Sequence, residues 1–179
     1  MGWDVRLFVA IEVGPLAEDP SGAPEHLTLA FLGEVAPDSL DRIFSALDRA
    51  SRSSRPFDLV LEGVGAFPSR ERPRVVWVGA TLGGPETSAL AAQVTTALAD
   101  EGIRTDRERF VPHVTLFRVR SPEHHRRALA LLAGTEPPPP PRSLRVSEIL
   151  LKESTLTARG AIHGTRATFP LGGPTERPD

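Results

Sequence analysis

The chain has 179 residues, of which 40% are hydrophobic and 25% charged, and its formal net charge is −2. This is the composition of a globular domain long enough to bury a core, and it excludes wholesale disorder. The small net charge disfavours a long basic groove for duplex nucleic acid. The chain contains no cysteine, which excludes disulfides, thiolate metal sites and cysteine nucleophiles.

No apolar run approaches the about 20 residues that a membrane span needs. Residues 1–6 also lack the long apolar stretch of a secretory signal. We therefore expect a cytoplasmic, monomeric protein that does not associate with membranes. We expect one domain over residues 1–179, with residues 172–179 as a frayed tail.

The first half of the chain alternates strand and helix signals. Short β-prone apolar runs predict strands, glycines and prolines predict loops, and apolar residues at helical spacing predict helices. The predicted elements are a strand over residues 6–11, a loop over 13–25, a strand over 26–32, a helix over 37–51, and a hairpin of strands over 57–67 and 75–81.

The second half continues in the same way. The predicted elements are a helix over residues 87–100, a strand over 110–119, a helix over 121–132, a stiff polyproline spacer over 137–141, and strands over 143–152 and 161–169. Hairpin-like neighbours among mixed elements indicate an α+β fold with mostly antiparallel sheets, not a doubly wound parallel fold. No glycine-rich phosphate loop of the Rossmann or Walker kind is present.

A short motif occurs twice, 87 residues apart, in strand-like segments: His26-Leu27-Thr28-Leu29 and His113-Val114-Thr115-Leu116. Side chains alternate between the faces of a strand, so the histidine and threonine of each copy point the same way. The apolar residues between them point to a core on the other face. One copy alone is more often a solvated strand face, whereas two matched copies predict a cleft with one imidazole on each wall.

Two facing imidazoles suit general acid–base catalysis, because one must be neutral to accept a proton and the other charged to donate one. The hydroxyls of Thr28 and Thr115 can donate to phosphate oxygens without adding negative charge. Arg118 follows His113 by five residues and can make a bidentate contact to an anion. No metal-ligand motif accompanies this set. These residues favour phosphodiester transfer through a ribose 2′-hydroxyl, or opening of a cyclic phosphate.

The paired motifs resemble those of the 2H phosphoesterases. The chain is most similar to their bacterial and archaeal branch, the RNA 2′,3′-cyclic phosphodiesterases, which are also called 2′-5′ RNA ligases. The matching segments are residues 6–11, 26–34, 65–77, 112–118 and 169–171. Together they span nearly the whole chain.

This resemblance implies a bilobal α+β fold, with duplicated antiparallel-sheet lobes, outer helices and a central cleft. It implies hydrolysis of RNA 2′,3′-cyclic phosphate ends to 2′-phosphate with no metal or cofactor, and a weak reverse activity that joins RNA ends by a 2′-5′ bond. His26 and His113 would be the acid–base pair, with His113 activating water by the family's usual assignment. Thr28, Thr115 and Arg118 would bind the phosphate.

The chain departs from the family pattern in three places. Residues 14–25 are too short and too rich in glycine and proline for the usual helix before the first motif. Ala30 stands where a basic residue is common, and His163 stands near the position of an expected tyrosine. Two alternatives stay open: a cyclic phosphodiesterase acting on small nucleotides or an ADP-ribose cyclic phosphate, and a module that binds RNA ends without turnover.

Several other residues have less specific interpretations. His124 and His125 favour an exposed helix face, and Trp77 favours the core. His163 favours a surface strand position over a place at the mouth of the cleft. The arginine groups at residues 70, 72, 74 and 104, 107, 109 fit solvated loops as well as RNA contacts at a cleft rim.

Overall fold

A computed structural model of the chain describes residues 5–16, 25–106, 109–157 and 160–172. The strands are β1 (Val5–Glu12), β2 (His26–Val35), β3 (Phe57–Pro68), β4 (Pro73–Leu82), β5 (His113–Arg118), β6 (Arg142–Val146), β7 (Glu148–Thr157) and β8 (Gly160–Pro170). The helices are α1 (Leu40–Ser53), which a 3₁₀ turn precedes, α2 (Gly84–Asp100) and α3 (Pro122–Ala133). No helix in these ranges is long and apolar enough to span a membrane.

The strands form one curled, fully antiparallel sheet in the order β6-β3-β4-β5-β2-β1-β7-β8. The β2–β5 contact in the middle divides the sheet into two four-stranded halves. In each half the motif strand pairs with the strand that precedes it in the chain. β2 pairs with β1, and β5 pairs with β4. A helix follows each motif strand, α1 after β2 and α3 after β5. The predicted α+β class and the duplicated antiparallel architecture are confirmed.

The main core lies on the face of the sheet that α1 and α2 cover. Ile43, Ala46, Leu47 and Ala50 of α1 recur at helical spacing and are all buried, so one stripe of this helix packs inward. Alternate residues of strands from both halves complete this core: Leu7, Val9, Leu27, Leu29, Leu59, Leu61, Val114, Ile149 and Leu151. The intervening residues of β2 and β5 therefore lie on the opposite face.

Helix α3 packs with β3 and β4 in a smaller, separate cluster that contains Val76, Ala128 and Leu131. Ser121 caps its N-terminus by accepting a hydrogen bond from the His124 backbone N–H at 3.1 Å. Gly134 ends it in the left-handed region, with φ of 76°. These two residues set where the helix begins and ends.

The prediction of one strand over residues 143–152 was wrong, because two strands, β6 and β7, cover this range. The chain breaks at Ser147, because β6 pairs with β3 at one end of the sheet and β7 pairs with β1 in the other half. The predicted strand over 110–119 is also shorter, since Pro112 has no N–H to donate to a ladder and β5 begins at His113. Residues 17–24 of the predicted loop and 173–179 of the predicted tail lie outside the described residues.

Candidate active site

The two His-x-Thr motifs meet at the centre of the sheet. Leu27 of β2 pairs with Val114 of β5, and both side chains are buried in the main core. Directly paired residues of antiparallel strands share a face, so the residues on either side of each lie on the other face. The half-buried side chains His26, Thr28, His113 and Thr115 are thereby brought to one surface.

His113 is held in one orientation by the segment before its strand. Its Nδ1 lies 2.8 Å from the carbonyl oxygen of Val111. Because a carbonyl can only accept, Nδ1 carries the hydrogen and donates it. In the neutral ring the Nε2 lone pair is then free to take a proton. The late start of β5 leaves the Val111 carbonyl available for this contact.

Burial lowers the pKa of His113 below its ordinary value, and the positive charge of Arg118 adds to the effect. The hydrogen bond to Val111 acts in the opposite direction but does not outweigh burial. His113 is therefore biased toward the neutral imidazole that a general base requires.

Two aromatic rings produce much of this burial. The ring of Phe67 meets the His113 imidazole edge-on with centroids 5.0 Å apart, and the ring of Trp77 lies 5.9 Å away. The indole rests over Gly65, where an added Cβ would come within 2.2 Å of its ring, and beside Gly79, where the distance would be 3.0 Å. Trp77, expected in the core, is instead half-buried beside the candidate base.

His26 has a different set of neighbours. Its ring lies 4.9 Å from that of Phe8 and 5.2 Å from that of His163, measured between centroids. Glu12 is its cross-strand partner in the β1–β2 ladder. The Glu12 carboxylate forms an ion pair with Lys152, at 3.2 Å between Oε2 and Nζ. An ion pair between β1 and β7 thus lies beside His26, while an arginine acts on His113.

His163 does not occupy the surface position expected from the sequence. It is half-buried, packs edge-on against His26, and also contacts Phe8 at 5.1 Å. Burial lowers its pKa, and the charge of Lys152 lowers it further. Its position depends on the pairing of β8 with β7, where His163 lies opposite Ser154. No local sequence signal predicts that pairing.

Arg118 ends β5 and is exposed. Within the described part of the chain its guanidinium makes no hydrogen bond or ion pair to protein groups, so its donors can meet an anion. Its effect on the pKa of His113 places it within electrostatic reach of that imidazole. Thr28 and Thr115 share the face of the two imidazoles. This set can transfer protons at an anionic centre and bind its oxygens.

The remaining candidates lie elsewhere. On α3, His124 packs against Phe117 of β5 and His125 is exposed, so neither joins this set. Arg70 donates to the carbonyl oxygens of Val64 and Leu132; Arg107 lies outside the described residues. In the ranges that the structure describes, no three His, Cys, Asp or Glu side chains are grouped to hold a metal ion.

Sequence reasoning missed Phe8, Phe67 and Val111 as parts of this arrangement. In the sequence, Phe8 and Phe67 are indistinguishable from other apolar residues of predicted strands. Their contacts with the imidazoles arise from pairing between strands that are distant in sequence. The Val111 carbonyl could have been noticed, because Pro112 between it and His113 indicates a break in the ladder.

The family model of the 2′-5′ RNA ligase superfamily matches residues 18–155. An RNA 2′,3′-cyclic phosphodiesterase of Methanothermobacter thermautotrophicus is 37% identical over 147 residues, covering 82% of this chain and 78% of the relative. A protein of the same name from Archaeoglobus fulgidus is 35% identical over 182 residues, covering 92% of this chain and 99% of the relative.

Solved structures agree with these sequence matches. E. coli LigT in complex with 3′-AMP superposes with a TM-score of 0.69 at 30% identity, covering 94% of this chain and 98% of that one. TT0787 of Thermus thermophilus superposes with a TM-score of 0.70 at 26% identity, with coverages of 94% and 98%. The similarity therefore extends over both halves of the sheet and both motifs.

Proposed function

Because the chain belongs to the 2′-5′ RNA ligase superfamily, we propose that it is an RNA 2′,3′-cyclic phosphodiesterase that opens the cyclic phosphate to a 2′-phosphate. The observation that carries this proposal is the pairing of Leu27 with Val114 at the centre of the sheet. It joins the two motif strands so that both imidazoles share one surface. The name shared by the relatives from Methanothermobacter and Archaeoglobus supports the substrate class.

In this scheme His113 is the general base and His26 the general acid. Nε2 of His113 takes a proton from water as the water oxygen bonds to phosphorus. The bond from phosphorus to the 3′-oxygen breaks, and His26 gives that oxygen a proton. The product is a 2′-phosphate with a free 3′-hydroxyl. Proton exchange with solvent then restores both imidazoles, and the scheme assigns no step to a metal or cofactor.

The surroundings of the two imidazoles favour this division of roles. The pKa of His113 is lowered by burial and by Arg118, which suits a base that must begin neutral. The role of acid then falls to His26, the other imidazole that the pairing of Leu27 with Val114 brings to this surface.

Thr28, Thr115 and Arg118 are assigned to the phosphate. The two hydroxyls donate to its non-bridging oxygens, and the guanidinium stabilises the negative charge that builds up as water attacks. The absence of a protein partner for Arg118 in the described part of the chain supports this role, because no other acceptor competes for its donors.

The same roles serve a weak reverse activity. If the 5′-hydroxyl of a second RNA takes the place of water, His113 deprotonates it and the 3′-oxygen again leaves with a proton from His26. The new bond joins phosphorus to the 5′-oxygen, so the phosphate links the 2′-oxygen of one strand to the 5′-oxygen of the next. A 2′-5′ linkage follows from the same bond breaking as hydrolysis, and water competes with this reaction.

Turnover of a short RNA with a 2′,3′-cyclic phosphate end, measured in excess EDTA, tests the proposal. We expect a 2′-phosphate product, and a loss of about 10²–10⁴-fold in rate in His26→Ala and in His113→Ala, the usual contribution of general acid–base catalysis. His125→Ala is the matched control, because His125 is exposed on α3, and should keep full activity.

Three results would contradict parts of the scheme. A 3′-phosphate product would mean that the wrong bond was assigned to cleavage. Full activity of His113→Ala would remove the general base. Binding of the RNA without turnover would favour the RNA-end binding module instead.

A further inference from the structure

The half of the sheet that holds His26 contains more basic groups than the proposed mechanism uses. His163 of β8 contacts the His26 ring, and Lys152 of β7 lies on the neighbouring strand. Lys152 is the single lysine of the chain and is only 1% exposed. A buried ammonium is unfavourable unless it is paired or serves a function. Its ion-pair partner, the Glu12 side chain, is 47% exposed.

The two ring nitrogens of His163 are in unlike surroundings. Its Nδ1 is buried and has no hydrogen-bond partner in the described part of the chain. A buried N–H without an acceptor is rarer than a buried lone pair without a donor. The hydrogen of a neutral His163 ring therefore belongs on Nε2, which is the nitrogen left to meet a ligand.

Charged groups next to His163 oppose its protonation. The Lys152 ammonium acts on it from β7, and the ring is half-buried. From β2 it meets His26, the proposed acid, which is charged at the start of the reaction. From β1 the Glu12 carboxylate forms an ion pair with Lys152, and burial of the His163 ring is the larger cause of its lowered pKa. A neutral ring with its hydrogen on Nε2 is the form consistent with these neighbours.

We infer that His163 is a further substrate-binding residue, which donates a hydrogen bond from Nε2 to the phosphoryl group on the side of the cleft where His26 acts. A neutral donor is suited to this place, since a second charged imidazole would make the protonated form of His26 unfavourable. This inference rests on the proposed function for the identity of the anion.

The test compares His163→Phe and His163→Gln with the unchanged protein. Phenylalanine keeps a ring against His26 and Phe8 but cannot donate, whereas glutamine keeps a donor without the ring. We measure KM and kcat for an RNA with a 2′,3′-cyclic phosphate end, and Kd for inorganic phosphate by calorimetry. His125→Phe, the same change on α3, is the control.

Loss of one hydrogen bond to a charged group should raise KM and the phosphate Kd about tenfold in His163→Phe, with kcat nearly unchanged. His163→Gln should recover most of that loss. Nitrogen NMR should find the His163 hydrogen on Nε2 at neutral pH. Unchanged KM and Kd in His163→Phe, or a hydrogen on Nδ1, would overturn the inference.

The two measurements separate this inference from the function it rests on. If the unchanged protein does not turn over the RNA, the proposed function fails, and the phosphate Kd still decides whether His163 binds an anion. If the unchanged protein is active and His163→Phe matches it in both KM and Kd, the proposed function stands and only the role of His163 is rejected.

Discussion

At the scale of single residues, the two central histidines differ in what surrounds them. His113 is fixed through Val111 and enclosed by Phe67 and Trp77, so its pKa is lowered mainly by burial. His26 lies beside a second imidazole and across from a carboxylate. Under the proposed mechanism the same amino acid serves as base at one position and as acid at the other, and unlike surroundings are how one fold can supply both.

This asymmetry predicts a bell-shaped dependence of kcat/KM on pH. The acid limb reports protonation of His113, and because its pKa is lowered, that limb should lie below the ordinary histidine value of about 6.5. In Phe67→Ala the imidazole is less buried, its pKa rises, and the acid limb should move to higher pH. A rate profile over pH 4–9 measures both effects.

Phe57→Ala is the matched control for this profile. Phe57 lies on the same strand but packs against the main core, so its loss should leave the acid limb in place. An acid limb that stays in place in Phe67→Ala as well would show that the ring does not set the pKa of His113.

At the scale of elements, the β3–β4 hairpin supplies the wall behind His113. Trp77 pairs with Gly65 across the hairpin, and the absence of a side chain there lets the indole lie flat on the sheet. Gly65→Ala would place a Cβ 2.2 Å from the ring, so the indole must shift. Overpacking of this kind destabilises by about 1–3 kcal/mol, and turnover should fall as the wall moves.

Urea unfolding and turnover of Gly65→Ala measure these two effects. Gly164→Ala is the control, because a Cβ at Gly164 meets nothing within 4 Å. The control should unfold at the same urea concentration as the unchanged protein, or at a slightly higher one. Equal stability of the two variants would show that the indole is not held as the structure describes.

The scale of elements also shows what the sequence could and could not predict. Alternation within a strand is local, so the common face of His26 and Thr28 follows from three consecutive residues. Strand partners are not local. No residue near Ser147 indicates that the strand before it pairs with β3 and the strand after it with β1. No residue near His163 indicates that β8 brings this side chain against His26. The resemblance to known proteins predicts an acid–base pair, which stays a prediction, and it does not indicate these neighbours.

At the scale of the whole molecule, the halves of the sheet meet through little backbone pairing. Only Leu27 and Val114 are paired between β2 and β5 among the described residues. The main core nevertheless contains Val9 from one half and Leu61 from the other, together with α1 and α2. Because apolar side chains of both halves are buried in this one core, separating the halves would expose it to water.

We therefore expect the two halves to unfold as one cooperative unit, with the active surface lost only in global unfolding. Native-state hydrogen exchange in low urea tests this, because amides that exchange through the same opening converge on one free energy. The amides of Val9 in β1 and Leu61 in β3 should converge with each other and with the global free energy of unfolding. If the Leu61 amide exchanged through a separate opening of lower free energy, the two halves of the sheet would be independent domains. The geometry between His26 and His113 would then depend on how those domains dock.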